Sequence, residues 1–404
     1  MPYTIVPLEL AQTLPALQIP DDHTGVALIL RYRDRPIGLL LRSCSPEDHL
    51  TPPVLEAWIA QELGTKLLQE QIRSEIFPTP DGIEFPSLTV AICTKDRPEN
   101  VSRLLRSLLP LQASSLPQFE ILVVDNAPSD DSTKDVVTAI PSIRYTRELK
   151  AGLDFARNHA LHAATGELLA FLDDDVTVDQ QWLNGLKEAW AENPDAAAFT
   201  GLVLPYELET EAQILFEQRG GFRRGFEKIR YGQTLPHNPS YPCGAGIFGA
   251  GCNMAFRRSV LLELGGFDEA LDTGKPLPGG GDLDIFYRVV RAGYPLVYEP
   301  RYLIYHQHRR ELKQLQHQYW TWGLGLMAFV VKSFQVDRSQ RMKLLQLMAW
   351  WLKNQLWQLQ QSLTGQHILP IDMVLAEFWG GIVGVLGEYG RSQRRVAQIR
   401  RRFS

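Results

Sequence analysis

The stretch Leu168–Val178, LLAFLDDDVTV, constrains this chain more than any other. Leu168–Leu172 follow the breaker Gly166 and run, without Gly or Pro, into three consecutive acids, Asp173, Asp174 and Asp175. A short unbroken apolar run with such bounds reads as a strand buried on both faces, the habit of a parallel sheet. Three carboxylates at the carboxyl end of one strand repel each other unless positive charge sits among them. Mg²⁺ or Mn²⁺ suits that place, because both prefer oxygen ligands and accept phosphate oxygens beside carboxylates. The alternative is a solvated acidic turn that caps the next helix, with Thr177 or Asp179 near its start.

The flanking sequence decides against the turn. Leu88–Cys93 (LTVAIC), Phe119–Val124 (FEILVV) and Ile143–Thr146 read as strands. Helical segments near 100–109, 133–139 and 152–164 alternate with them. This alternation predicts an α/β fold with a mixed, mainly parallel sheet and helices on both faces. Ligands of such sheets bind outside the carboxyl ends of the strands. Thr94, Asp96, Asp125 and Asp173–Asp175 all stand at such ends, so they are expected to converge. Neither a GxxxxGK[ST] loop nor a GxGxxG turn after the first strand is present, which removes two common phosphate-binding designs.

At 404 residues the chain has room for two or three domains. A net charge of −5 offers no electrostatic case for nucleic acid. Cys44, Cys93, Cys243 and Cys252 show no metal spacing, so reduced thiols and a cytoplasmic setting are expected. The opening residues lack the pattern of a signal peptide, and no apolar run approaches the roughly 20 residues that span a bilayer.

LTVAICTKDRP, ILVVDNAPSDDST, AGLDFARNHALHAATGE and LLAFLDDDV, in this order, resemble the family 2 inverting glycosyltransferases of GT-A fold. The likeness continues through residues 249–271 and 279–300 and covers roughly 88–330. It implies a nucleotide-sugar donor, a UDP-sugar being the expectation, and a glycan or lipid-linked acceptor. Thr94, Asp96 and Asp125 would hold the nucleotide, with Arg157 and Asp174 beside the donor. Asp173 and Asp175 match the outer residues of a DXD motif that binds Mn²⁺ or Mg²⁺, and His306 of YHQHR would stand near the metal or diphosphate, with His308 as the spare. In GGGDLDIFYR, Asp282 aligns with the general base, which takes the acceptor proton during single displacement. Gly281 departs from the family, which commonly has Glu there. Asn253, Asp284 and Trp320, with Trp322 nearby, are expected on the acceptor side. Two other readings are a non-catalytic nucleotide-sugar scaffold and a nucleotidyltransferase; Asp282 with DDD argues against the first, and GGGDLDIFYR has no role in the second.

Three parts follow: a small α+β module (1–85), a GT-A catalytic domain (86–335) and a C-terminal helical segment (336–404). In the first, Val26–Arg31 and Ile37–Arg42 read as a hairpin, and Pro78–Pro86 as a linker. Irregular residues 207–241, rich in Lys and Arg, read as a mobile loop over the site. In the last part, Leu345, Met348, Leu352, Leu356, Leu359 and Leu363 follow helical spacing beside Trp350, Trp351 and Trp357. With the arginines of 391–402 they predict peripheral contact with an anionic membrane, or else a helical hairpin packed on the catalytic domain.

Overall fold

The computed structural model describes residues 2–76, 84–115, 119–235, 237–365 and 369–403. The linker expected at Pro78–Pro86 lies largely on 77–83, outside the described residues. Strands β1 (Tyr3–Glu9), β2 (Gly25–Tyr32) and β3 (Arg35–Ser43) form a small sheet backed by helix α1 (Pro52–Ile76). β2 and β3 pair as the expected antiparallel hairpin, and β1 adds a parallel edge strand. The i, i+4 stripe Leu55, Ile59 and Leu63 of α1 is buried with Leu28 and Leu30 of the sheet. Tyr3 and Ala27 pack instead with Leu208 and Ile214 of the larger domain.

Two arginines of the small sheet cross that boundary. Arg31 donates to both carboxylate oxygens of Asp179 and to the hydroxyl of Tyr305. Arg35 meets Glu70 at 2.9 Å and Glu299 at 3.3 Å, and donates to Glu188, which also accepts from Arg301. Against the cost of burial, Arg35 and Lys228 draw the Glu188 carboxyl down to about 2.

The larger domain runs β4 (Leu88–Thr94), α2 (Pro98–Ser114), β5 (Glu120–Asn126), α3 (Ser132–Thr138), β6 (Ile143–Glu148), α4 (Leu153–Ala163), β7 (Leu168–Asp173), β8 (Val176–Val178), α5 (Trp182–Glu192), β9 (Ala198–Pro205), α6 (Glu211–Gln218), β10 (Ile229–Tyr231), β11 (Asn253–Arg257), α7 (Arg258–Glu263), α8 (Gly281–Arg291) and β12 (Leu296–His306). Its sheet has the order β10-β12-β9-β11-β7-β4-β5-β6, with β8 paired to β12. β7, β4, β5 and β6 are parallel, whereas β11 enters antiparallel between β9 and β7. This is the mixed α/β sheet that the alternation of elements implies. β7 lies inside it, and its side chains divide by the two-residue period of a strand. Leu168, Ala170 and Leu172 join Val90, Ile92, Leu104 and Trp182 on one face; Leu169 and Phe171 join Ala91, Ala156, Ala160 and Phe256 on the other. Each fully buried Leu or Phe contributes about 1.5–3 kcal/mol, so this strand is fixed in place and its acidic end with it.

Four helices complete the chain: α9 (Leu312–Val336), α10 (Arg341–Leu363), α11 (Ile371–Val383) and α12 (Tyr389–Arg402). α11 crosses α9 at very short range. A Cβ at Gly380 would lie 2.0 Å from the Trp320 carbonyl oxygen, and one at Gly323 2.0 Å from that of Glu377. Only glycine permits that approach.

Residues 207–241 differ from the expected mobile loop. They include α6 and β10, and their cations are engaged: Arg219 with Glu377, Arg223 with Glu217, Lys228 with Glu299 and Arg230 with Asp195. Phe216 and Phe222 from this segment pack against His308 and His306. Among the described residues no helix is long and apolar enough to cross a membrane. All four cysteines are free and buried.

Candidate active site

Strand register brings the expected acids to one edge of the sheet. Thr94 is paired with Asp125 across β4 and β5, and Cys93 with Asp173 across β4 and β7. β8 turns back along β12 with Val176 opposite His306, which sets that imidazole beside Asp175. Two adjoining cavities open there. One, of about 710 Å³, is lined by Thr94, Lys95, Arg97, Asn126, Asp173–Asp175, Asp272, Lys275, Arg309 and Arg395, among others. The other, of about 420 Å³, shares Asp173, Asp175, Asp272 and Arg309 and adds Arg157, Asp282, His306, Trp322 and Glu377. A more open groove of about 930 Å³ lies between α4 and α12 and holds none of the converging acids.

The three acids of the DDD run have three different surroundings. Asp173 is about a third exposed (37 %) and stands 3.7 Å from Arg157. Asp174 is buried, and both its oxygens are engaged: Thr94 Oγ1 donates at 2.7 Å and Arg97 Nη1 at 2.9 Å. It is a strut between β4 and β7, and it occupies the hydroxyl that was expected to face the nucleotide. Asp175 is buried with His306 Nε2 at 3.3 Å and Arg309 Nη1 at 3.7 Å. Against the raising effect of burial, His306 and Arg309 hold its carboxyl well below the usual range. Behind it runs a buried chain: His306 Nδ1 lies 3.1 Å from His308 Nδ1, and His308 Nε2 lies 2.7 Å from Glu217 Oε1.

Asp96 and Asp125 stand at the margin. Asp96, at φ 53°, accepts from the backbone and hydroxyl of Ser129, tying β4 to the turn after β5. Asp125 is fully buried; its Oδ2 accepts from Tyr145, while its Oδ1 has no partner, and burial raises its pKa.

Arg157 is the cationic centre. It is buried, with Asp154 at 3.0 Å, Asp272 at 3.6 Å and Asp173 at 3.7 Å. One guanidinium cannot fully offset so many acids. Burial, with Asp282 adding to it, pushes the Asp272 carboxyl up to about 7, and burial raises Asp154 as well. A Cβ at Gly281 would fall 2.2 Å from Asp154 Oδ2 and 2.9 Å from Asp272 Oδ2. The space where the family commonly has a Glu side chain is thus occupied by the carboxylates of Asp154 and Asp272. Neither stood out in the sequence, although Asp154 shares a helix with Arg157 at i, i+3.

Asp282 lies in the first turn of α8 and faces the smaller cavity. Its Oδ2 accepts from Gly251 N at 3.1 Å and its Oδ1 from Leu283 N at 2.8 Å. A carboxylate has about four lone-pair sites, so each oxygen keeps capacity toward the cavity. The helix begins at Gly281, with Gly280 as its cap residue, so Asp282 is its second residue.

Three acceptor-side expectations are corrected. Asn253 is fully buried, accepts from Trp182 Nε1 and donates to the Tyr302 carbonyl, which uses both ends of its amide in the core. Asp284 is fully buried and ion-paired with Lys332 and, at 2.7 Å, Arg288. Trp320 stacks on His317 and packs with Leu324 and Tyr389, outside the cavity wall. Trp322, two residues on, does line the cavity, packed on Phe216 and Phe222. Glu377, from α11, was not found from the sequence; it reaches the cavity because α11 lies so close on α9, so residues beyond 335 help to build the site.

Among the described residues no three His, Cys, Asp or Glu side chains are already arranged to hold a metal ion. Mg²⁺ and Mn²⁺ do not require such a set when phosphate oxygens and water complete the coordination. The hard, anionic oxygens of Asp173 and Asp175, both facing the two cavities, fit that mode.

Residues 89–265 match the family Glycosyl transferase family 2. A pre-mycofactocin glycosyltransferase of Mycobacterium tuberculosis is 29% identical over 236 residues, which cover 58% of this chain and 45% of that protein. The succinoglycan biosynthesis protein ExoM of Rhizobium meliloti is 30% identical over 218 residues, covering 53% and 64%. The chain therefore spans only about half to two thirds of these relatives' length. A solved structure of a mannosyltransferase from Pyrobaculum calidifontis, in complex with GDP-Man and Mn²⁺, is 15% identical with a TM-score of 0.47, covering 81% of this chain and 97% of that one. The family match over residues 89–265 and these relatives together support a glycosyltransferase of family 2 type.

Proposed function

We propose that this protein transfers a sugar from a nucleotide-diphosphate sugar, a UDP-sugar in the first instance, to an acceptor hydroxyl with inversion. The observation that carries this reading is the meeting of two cavities at Asp173 and Asp175, with Asp282 on the wall of the smaller one. The donor would lie over the carboxyl ends of β4, β5 and β7, and the acceptor between Asp282, Trp322 and Glu377. Asp282 takes the proton of the acceptor hydroxyl as that oxygen attacks the anomeric carbon, and the nucleoside diphosphate departs. A divalent cation held by Asp173 and Asp175 would supply neutralising charge to that leaving group. Arg309 and Arg97 stand on the same side, and Arg157 keeps Asp173 oriented.

The test is hydrolysis and transfer across a panel of nucleotide sugars with and without Mn²⁺, with titration of the nucleoside diphosphate alongside. Binding is expected to tighten with metal, and Asp175→Ala to remove that enhancement while the fold persists. Equal nucleotide affinity with and without metal, or no turnover of any donor, would count against the reading.

The acceptor would be a lipid-linked or envelope glycan met at a membrane surface. On α10 the inward face carries Leu344, Leu347 and Trp351, while Met342, Leu345, Trp350, Leu352, Leu356, Trp357 and Leu363 are exposed (44–70 %) on the opposite arc. The leucine stripe legible in the sequence is largely the outward one. An exposed apolar arc of this kind supports shallow insertion into a membrane interface, and the arginines of α12 would add attraction to an anionic one. Binding to anionic vesicles, weakened by high salt and by Trp350→Glu, is expected in co-sedimentation; a full-length protein that stays in the supernatant at low salt would exclude it.

A further inference from the structure

The C-terminal helix α12 lies outside the matched family region, yet it reaches the larger cavity. Tyr389 donates to Asp268 at 2.8 Å, Ser392 is bonded to Thr273 at 2.9 Å, and Arg400 pairs with Glu269. Val396 is buried with Phe155, Leu271 and Leu277. These contacts fix the helix across residues 268–277, the segment that borders the cavity. Ser392, Arg395 and Val396 share the inward face at i, i+3 and i+4. Arg395 alone among the arginines of this helix lines the cavity, where Lys275 joins it. Arg391 pairs instead with Glu388.

The charges of this wall are unevenly committed. Arg97 is held by Asp174, and Arg309 lies near Asp175. Among the described residues, Lys95, Lys275 and Arg395 are paired with no acidic side chain. The Nε of Arg395 is buried and has no hydrogen-bond partner. A buried donor without an acceptor is unfavourable until something supplies one. Asp173–Asp175 on the same wall repel an anion unless a divalent cation lies between, so the ligand that suits it is an extended group whose several anionic oxygens can meet these side-chain cations and such an ion together.

We propose that α12 is part of the donor site, with Arg395 and Lys275 supplying the charge that binds the diphosphate of the nucleotide. This rests on the donor reading above and extends it to a segment beyond the family domain. A charge-assisted hydrogen bond to phosphate is among the stronger contacts a side chain makes.

The test is calorimetric titration, with Mn²⁺ present, of whichever of UDP, GDP or ADP the intact protein binds best, alongside the matching nucleoside. Arg395→Ala is expected to weaken the diphosphate about tenfold, the effect of losing one charge-assisted bond, and to leave the nucleoside unchanged. Arg395→Lys, which keeps the charge, is expected to recover part of the loss. Arg391→Ala, as a surface control, should bind like the parent. Undiminished diphosphate binding by Arg395→Ala would overturn this proposal while leaving the donor reading intact. Equal loss of nucleoside and diphosphate would overturn it too, as the sign of a merely structural residue. Failure of the parent protein to bind any nucleoside diphosphate would overturn the donor reading and this proposal together.

Discussion

Asp282→Asn is expected to lower turnover by about 10²–10⁴-fold while nucleotide affinity stays near that of the parent. The asparagine keeps the shape and one carbonyl oxygen, so at least one of the backbone donors, Gly251 N or Leu283 N, retains an acceptor. The other bond, worth about 0.5–1.5 kcal/mol, can be lost without threatening the fold. What disappears is the ability to accept a proton as the hydroxyl attacks. Steady-state kinetics with saturating donor, together with titration of the nucleoside diphosphate, separate chemistry from binding. Turnover at the parent rate would remove Asp282 from the reaction.

The acid two residues on is expected to behave in the opposite way. Asp284→Ala should cost about 3–5 kcal/mol of stability, the usual result of stranding one partner of a buried ion pair. Asp284 is fully buried, and its removal leaves the Lys332 ammonium, itself only 8 % exposed, without a counter-charge. Arg288 also loses its carboxylate but keeps the carbonyls of Leu264 and Gly266. Denaturant unfolding should show the loss, and whatever protein remains folded should still turn over donor. A variant with parent-like stability and no activity would instead place Asp284 in the chemistry.

That contrast shows what the sequence could and could not reveal. The buried strand with its acidic end was legible because five apolar residues without a breaker have few other fates. The convergence of Thr94, Asp125 and Asp173 followed from parallel pairing, which the alternation of elements imposes. Asp282 and Asp284 were harder to sort. On a helix, residues two apart point to nearly opposite sides, but that argument needs a helix containing both, and the preceding Gly279–Gly281 run does not announce that one starts there. Asn253 misled for a related reason: its strand runs antiparallel into the centre of the sheet, a long-range pairing that no local pattern announces. The same holds for β10, a three-residue strand within the irregular stretch whose partner, β12, lies far away in sequence. The arginines near the C-terminus read as one basic tail, and only the helical phase of α12 separates Arg395 from the rest.

The two arginines of the N-terminal sheet have a further consequence. Arg31 grips Asp179, just beyond β8, and Tyr305 on β12; Arg35 grips Glu299, nearer the start of β12. Those are the strands whose ends deliver Asp175 and His306 to each other. The small module, which carries no visible chemistry, thus braces the strands that lead to Asp175 and His306 without touching either residue. The two grips are unequal: without Arg35 the Glu299 carboxylate would keep Lys228, whereas without Arg31 the Asp179 carboxylate would lose its cation, so the brace at this edge hangs on Arg31.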